Sequence, residues 1–167
     1  LGEFCDAKSP EFKFKQLYRD FNNKWQSVHG WFLLRDGNTD DIESNLNSFH
    51  IPLSDEDDEF KRSLLLLSKL LNDRLDNNNI KKHISRQLND EEKKFGSIKL
   101  LNIYLEENNI DTEFTEVLEN IQLLRSKGVA HAEQSGYREA LKTILGEKTR
   151  IQLITNMLLT INNFLRC

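Results

Sequence analysis

Glycine and proline are scarce in this chain, whose 167 residues include only seven glycines and two prolines. An all-β protein needs a turn about every ten residues, and turns depend heavily on these two residue types. Apolar residues instead recur at steps of three and four, the spacing that lines one face of an α-helix. The sequence therefore predicts an all-α fold, a compact bundle of about six helices that forms a single domain over residues 1–167.

Apolar stripes locate the predicted helices. The first helix is about twenty residues long, and its stripe consists of Phe14, Leu17, Phe21, Trp25, Val28 and Phe32. Later stripes begin at Phe60, Phe95, Phe114, Tyr137 and Ile151. We expect residues 1–10 to form a loose tail and residues 36–53, which contain Pro52, to form an irregular connector. Gly128 and Gly146 are expected to end the helices before them.

Charge and hydropathy exclude several functional classes. The 27 acidic and 23 basic residues give a net charge of -4, which argues against a protein that coats DNA through many phosphate contacts. No apolar run approaches the ~20 residues that cross a bilayer, and no secretory signal pattern opens the chain. We therefore expect no membrane partner.

The two cysteines, Cys5 and Cys167, lie at opposite ends of the chain without a second thiol or a histidine at ligand spacing. This pattern predicts neither a zinc site nor a disulfide framework, and it favours a reducing, cytoplasmic compartment. We predict no cofactor. Because the sequence starts at Leu1 rather than at methionine, we expect a fragment of a longer protein whose other domains are among its partners.

An acid-rich segment, residues 54–59, precedes the second apolar stripe. Ser54 is expected to cap a helix, with the following carboxylates near the positive end of the helix dipole. A calcium site is the alternative, but consecutive acids diverge around a helix and the glycine of an EF-hand loop is missing. The segment is therefore interpreted as a helix start.

Basic residues are concentrated in two segments. Residues 81–99 and residues 121–150 each contain six basic and three acidic residues, whereas residues 101–120 contain six acids and no lysine or arginine. Such runs are usually solvated faces, but they also provide local attraction for a polyanion within an acidic chain.

Arg125 and His131 form the most suggestive pair of polar residues in the second basic segment. Six residues along an uninterrupted helix turn through about 600°, which leaves the two side chains about 120° apart. A left-handed Gly128 at a helix end would reverse the chain and bring the imidazole toward the guanidinium. An imidazole can deprotonate a ribose 2'-hydroxyl, and a guanidinium can stabilise charge on phosphorus, without a metal ion.

Four neighbouring residues are expected to support this chemistry. Lys127, Arg138 and Lys142 would attract RNA, with Arg138 and Lys142 as RNA-binding residues, and Ser126 would position one of the two principal groups by a hydrogen bond.

The segment from Leu123 to His131, with Ser135-Gly136-Tyr137 after it, resembles the HEPN (higher eukaryotes and prokaryotes nucleotide-binding) superfamily, whose motif is an arginine followed after four to six residues by a histidine. The resemblance is strongest over residues 111–145. It implies a helical bundle that dimerises so that two motifs meet in one cleft, as in metal-independent ribonucleases of abortive-infection, toxin and other anti-phage systems. Arg125 and His131 then take the catalytic positions.

This chain departs from the commonest active pattern, because Ser126 stands where asparagine, aspartate or histidine usually follows the arginine. Some members of the superfamily no longer cleave RNA and serve as nucleotide-binding, scaffolding or dimerisation modules. An arginine and a histidine at a helix end can also simply satisfy the dipole and free carbonyls. A non-catalytic helical module, for dimerisation and interaction or for nucleotide binding, therefore stays open as an alternative.

The last apolar stripe also has two interpretations. Ile151, Ile154, Leu158, Ile161 and Leu165 are expected to pack in the core of the bundle. Leu153, Met157, Leu159 and Phe164 broaden the apolar surface, which leaves room for burial against a second copy and favours a homodimer.

Overall fold

The computed structural model describes residues 9–129 and 134–166, and in these ranges the chain is helical apart from connections and one isolated β-bridge. The α-helices of the described residues are α1 Pro10–His29, α2 Thr39–Ser48, α3 Asp57–Leu70, α4 Asn77–His83, α5 Ser97–Glu107, α6 Glu113–Val129, α7 Gln134–Leu145 and α8 Arg150–Leu165. Short 3-10 turns lie at Asn72–Arg74 and Glu92–Lys94. The predicted all-α class is confirmed, whereas the predicted count of six omits α2 and α4.

Helix α1 begins earlier than the predicted tail allows. The Ser9 hydroxyl accepts a hydrogen bond from the Phe12 amide at 3.2 Å, and Pro10 occupies the first turn, where its missing N–H is not needed. The helix ends at Gly30, whose φ of 83° places it in the left-handed region. Of the predicted tail 1–10, residues 1–8 lie outside the described residues.

Helix α2 lies inside the segment that we expected to be an irregular connector, residues 36–53. Asn38 accepts hydrogen bonds from the amides of Asp40 and Asp41 at 2.9 and 3.3 Å, and Leu46 packs into the core. The polar residues that resemble a turn in the sequence are therefore an N-cap and an acidic first turn.

Helix α4, which the apolar stripes do not predict, also begins with polar residues. Asp76 accepts a hydrogen bond from the Asn79 amide at 3.1 Å, and the asparagines from residue 77 onward form the first turn of the helix.

Ser54 does not cap α3. Its amide and hydroxyl donate to the Glu59 carboxylate at 3.0 and 3.2 Å, and the helix begins only at Asp57. The acidic first turn predicted for this helix is present, and the expected serine cap is replaced by a carboxylate that reaches back to the preceding loop.

Helix α8 lies at the centre of the bundle, where it packs against α1, α3 and α6. Leu153, Met157 and Phe164, which were expected to leave apolar surface for a second copy, are buried within the chain, and only Leu159 is half exposed. The width of the apolar surface on α8 is explained by its central position, so it gives no support for a dimer interface. No helix among the described residues is long and apolar enough to span a membrane.

Candidate functional site

A cleft of about 920 Å³ opens between α6, the end of α3 and the start of α5. We call it the α6 cleft. The residues that line it include Ser68, Asp73, Lys99, Leu123, Arg125 and Ser126. Glu119 also lines it, so two acidic side chains balance the two basic ones, and the cleft has no excess of positive charge.

Arg125 reaches the α6 cleft from the penultimate turn of α6. Its Nη1 donates to the Ser68 Oγ at 2.7 Å and to the Asp73 Oδ1 at 2.6 Å. Nη1 is the donor in both bonds. The Nε and Nη2 of Arg125 have no protein acceptor within residues 9–129 and 134–166. The Arg125 and Asp73 side chains are 35% and 45% exposed, and such a partly solvated ion pair contributes at most about 1 kcal/mol.

The backbone of Asp73 is fixed by a small network at the end of α3. The Arg35 side chain donates to the Asp73 carbonyl, and the Arg35 amide donates to the Arg74 carbonyl at 2.7 Å. Arg74 in turn donates from Nη1 to the Tyr18 hydroxyl at 2.7 Å. Leu34 and Leu75 also pair in an antiparallel bridge beside this turn. These bonds fix the backbone of Asp73, and so they position its carboxylate to bind Arg125.

Ser126 and Lys127 follow Arg125 on α6 and are both exposed, and the expected attraction of Lys127 for RNA stays a prediction. The Ser126 hydroxyl donates to the Leu123 carbonyl of its own helix at 2.9 Å, so it does not hold Arg125. Lys127 is exposed, and its Cδ lies 3.6 Å from the position that a Cβ of Gly136 would occupy. Interhelical support for Arg125 comes instead from Ser68 and Asp73, which sequence reasoning missed.

Gly128 does not end α6, contrary to our prediction. The helix continues to Val129, and Gly128 is not among the residues with positive φ. A Cβ at this position would meet two ring carbons of Tyr137 at 3.0 and 3.1 Å. The glycine therefore allows α6 and α7 to approach each other closely, rather than allowing the chain to reverse.

His131 lies outside the described residues, so its meeting with Arg125 stays a prediction. Tyr137, on α7, donates its hydroxyl to the Asp57 Oδ1 at 2.7 Å and so ties α7 to the start of α3. Lys61 lies 4.5 Å from the centre of the Tyr137 ring and pairs with Asp57 at 2.7 Å. Burial and, secondarily, the Asp57 carboxylate raise the pKa of the Tyr137 hydroxyl well above its usual range, so it is a neutral donor.

Arg138 and Lys142, predicted to bind RNA, are exposed on α7 one turn apart, and neither lines the α6 cleft. The basic segment 81–99 is partly neutralised by its own acids. Arg86 makes two hydrogen bonds to Glu92, at 2.9 and 2.7 Å, and these, together with one from the Asn89 amide, lower the pKa of Glu92 to about 2. Of this segment's basic residues, only Lys99 lines the cleft.

The three described histidines take part in packing. His29 stacks on Trp25 with ring centroids 3.9 Å apart, and His83 stacks on Trp31 at 4.7 Å. The His50 Nδ1 lies 3.1 Å from the Ile51 carbonyl oxygen. Across the described part of the chain, no three histidine, cysteine or carboxylate side chains are grouped so that they could hold a metal ion.

Comparison with family models finds no match for this chain, and comparisons with curated proteins and with solved structures find no match either.

Proposed function

We propose that this chain is a HEPN-like, metal-independent endoribonuclease domain of a bacterial defence or toxin system. The observation that carries the proposal is the position of Arg125, which lines a cleft large enough for a nucleotide and whose Nε and Nη2 donate to no protein atom within residues 9–129 and 134–166. A guanidinium presented in this way matches the paired oxygens of a phosphodiester.

The reaction needs a base and a group that stabilises developing negative charge. In this proposal His131 removes the proton from a ribose 2'-hydroxyl, whose oxygen attacks the adjacent phosphorus and expels the 5'-oxygen of the next nucleotide, which takes up a proton from water. Arg125 stabilises the charge on the non-bridging oxygens during the attack. The products are a 2',3'-cyclic phosphate end and a 5'-hydroxyl end.

The test is cleavage of single-stranded RNA in excess EDTA, with end-group analysis of the products. Arg125→Ala and His131→Ala should each reduce cleavage at least about a hundredfold. Arg19→Ala is the matched control for Arg125, because Arg19 is another ion-paired surface arginine, with Glu43, outside the α6 cleft. His50→Ala is the control for His131. Full activity of either motif variant would contradict the proposal.

A homodimer is the second part of this proposal, since the resemblance implies a site shared between two copies. Leu123 is 40% exposed and lines the same cleft as Arg125, which provides apolar surface beside the site. Light scattering should give twice the monomer mass, and Leu123→Asp should shift it toward the monomer. The exposed Leu53, outside this cleft, is the control position.

A non-catalytic interaction module is the alternative, and the bonds from Arg125 to Ser68 and Asp73 favour it because they tie α6 to the end of α3. In that case wild-type protein cleaves no RNA, and Arg125→Ala lowers the free energy of unfolding by several kcal/mol. A catalytic role predicts a loss of at most about 1 kcal/mol, from the partly solvated ion pair, together with lost cleavage.

A further inference from the structure

Ser68 lies at the floor of the α6 cleft, close to the end of α3. Its side chain lines the cleft although the residue is only 1% exposed, and its Oγ lies 2.7 Å from the Arg125 Nη1. A polar residue at so buried a position needs its hydrogen-bonding groups satisfied.

The hydrogen bonds of Ser68 are incomplete. A hydroxyl has one proton to donate and two lone pairs, whereas a guanidinium only donates. Ser68 must therefore accept from Arg125, which leaves the hydroxyl proton unused. In the parts of the chain that the structure describes, no protein atom accepts this proton.

Ser63 shows how a buried serine on the same helix is normally satisfied. It is 2% exposed, and its hydroxyl lies 2.9 Å from the His50 carbonyl oxygen and 3.1 Å from the Glu59 carbonyl oxygen. Its proton thus has a protein acceptor, as does that of Ser126 on α6. Ser68 differs from both because its remaining donor is at the cleft.

We propose that Ser68 is a second phosphate-binding residue of the Arg125 site. Its hydroxyl accepts from the Arg125 Nη1 and donates its proton to a non-bridging oxygen of the RNA phosphodiester that the guanidinium binds. Asp73 accepts from the same Nη1 but, as an acceptor only, donates nothing to a phosphate. This assignment rests on the proposed function for the identity of the ligand, and on the geometry of Ser68 for the contact.

Binding of a 2'-O-methyl RNA oligonucleotide, which cannot be cleaved through its 2'-oxygen, tests the contact separately from catalysis. Ser68→Ala should weaken binding by about tenfold, the usual effect of losing one hydrogen bond to a charged group. Ser63→Ala, at a matched buried position on α3, should leave the affinity within about twofold. Ser68→Thr keeps the hydroxyl and should restore most of the binding, whereas Ser68→Cys, with a weak donor of similar size, should not.

The outcomes separate this assignment from the ribonuclease proposal. If wild-type protein binds the oligonucleotide in a Ser68-dependent way and cuts no RNA, the assignment stands and the ribonuclease proposal fails. If Ser68→Ala binds and cuts like wild type, the assignment is overturned and the ribonuclease proposal stands. If wild-type protein neither binds nor cuts, both are overturned. Equal loss of binding in Ser63→Ala, with equal loss of thermal stability, would also overturn the assignment.

Discussion

Polar side chains lie among packed helices at the end of α1 and at the end of α6. The two regions differ in how many of the hydrogen bonds that these side chains can make are formed within the protein. At the end of α1, His29 lies 2.8 Å from the Tyr104 hydroxyl, which also accepts from the Trp31 indole at 3.4 Å. These groups bond to one another within an aromatic cluster. At the end of α6, Arg125 and Ser68 bond to each other and line the α6 cleft, and each keeps a donor with no acceptor in the described part of the chain. The first arrangement supports the fold, whereas the second leaves bonding capacity for a ligand.

The largest expected effect is on stability in the aromatic cluster. Trp25 is fully buried, so Trp25→Ala should lower the free energy of unfolding by about 3–5 kcal/mol. Arg125→Ala removes a partly solvated ion pair and should lower it by about 1 kcal/mol. Denaturant titration measures both. A similar loss in the two variants would remove the contrast and favour the architectural interpretation of Arg125.

Gly128→Ala should change the free energy of unfolding less than Trp25→Ala does. Helix propensity alone would make the alanine variant more stable, but we expect it to be less stable. The new methyl group would press on the Tyr137 ring, which Lys61 and Asp57 hold in place, so we expect a net loss of about 1 kcal/mol. Gly96→Ala is the control, since a Cβ there meets no atom within 4 Å. A stabilised Gly128→Ala variant would show that α6 and α7 can move apart at no cost.

Protonation of His29 should have a modest effect on the aromatic cluster. Burial lowers the pKa of His29 below its ordinary value, so the folded chain favours the neutral ring. Its contribution to stability is therefore present above the unfolded pKa of about 6.5 and is lost as pH falls through the folded pKa. Unfolding curves measured from about pH 8 to 5 should show this loss, and His29→Gln should reduce it. If the pH dependence of stability is unchanged in His29→Gln, protonation of His29 is not its cause.

The smallest expected effect concerns the basic segment beside the cleft. Arg86 is the main cause of the low pKa of Glu92, about 2, and both side chains lie at the surface. Arg86→Ala should raise this pKa toward its ordinary value, measured by NMR titration of the side-chain carboxyl carbon, with little change in unfolding. Lys94→Ala is the control, and an equal rise in that variant would point to general charge rather than to the pair.

The sequence predicts the long helices because their apolar stripes are local and repetitive. Phe14, Phe21 and Trp25 on α1, and Phe60 and Leu64 on α3, are all buried as their spacing indicates. Helices α2 and α4 were missed because their polar first turns use the same residue types as turns. The apolar periodicity of such short helices is too weak to indicate them. They are stabilised by their N-caps, Asn38 and Asp76, and by packing against the rest of the bundle.

The candidate site was only partly predictable. Arg125 stands out from the sequence motif, but its partners Ser68 and Asp73 are 57 and 52 residues away, and no local pattern joins them. One signal was present, since Ser68 interrupts the apolar run of α3 at a position where a leucine would pack. The role of Gly128 could not be predicted, because whether glycine serves a turn or a close contact depends on the helix opposite.

The pairing of α1 with α8 has a consequence for how the chain folds. Asn162 donates to the Pro10 carbonyl at 2.9 Å across a sequence separation of 152 residues, and the two helices share an extensive contact. During synthesis, the aromatic face of α1 cannot pack against α8 until α8 has left the ribosome. This long-range closure raises the contact order above that of a bundle joined by neighbouring hairpins, and it favours slower folding with a longer exposure of α1 to chaperones.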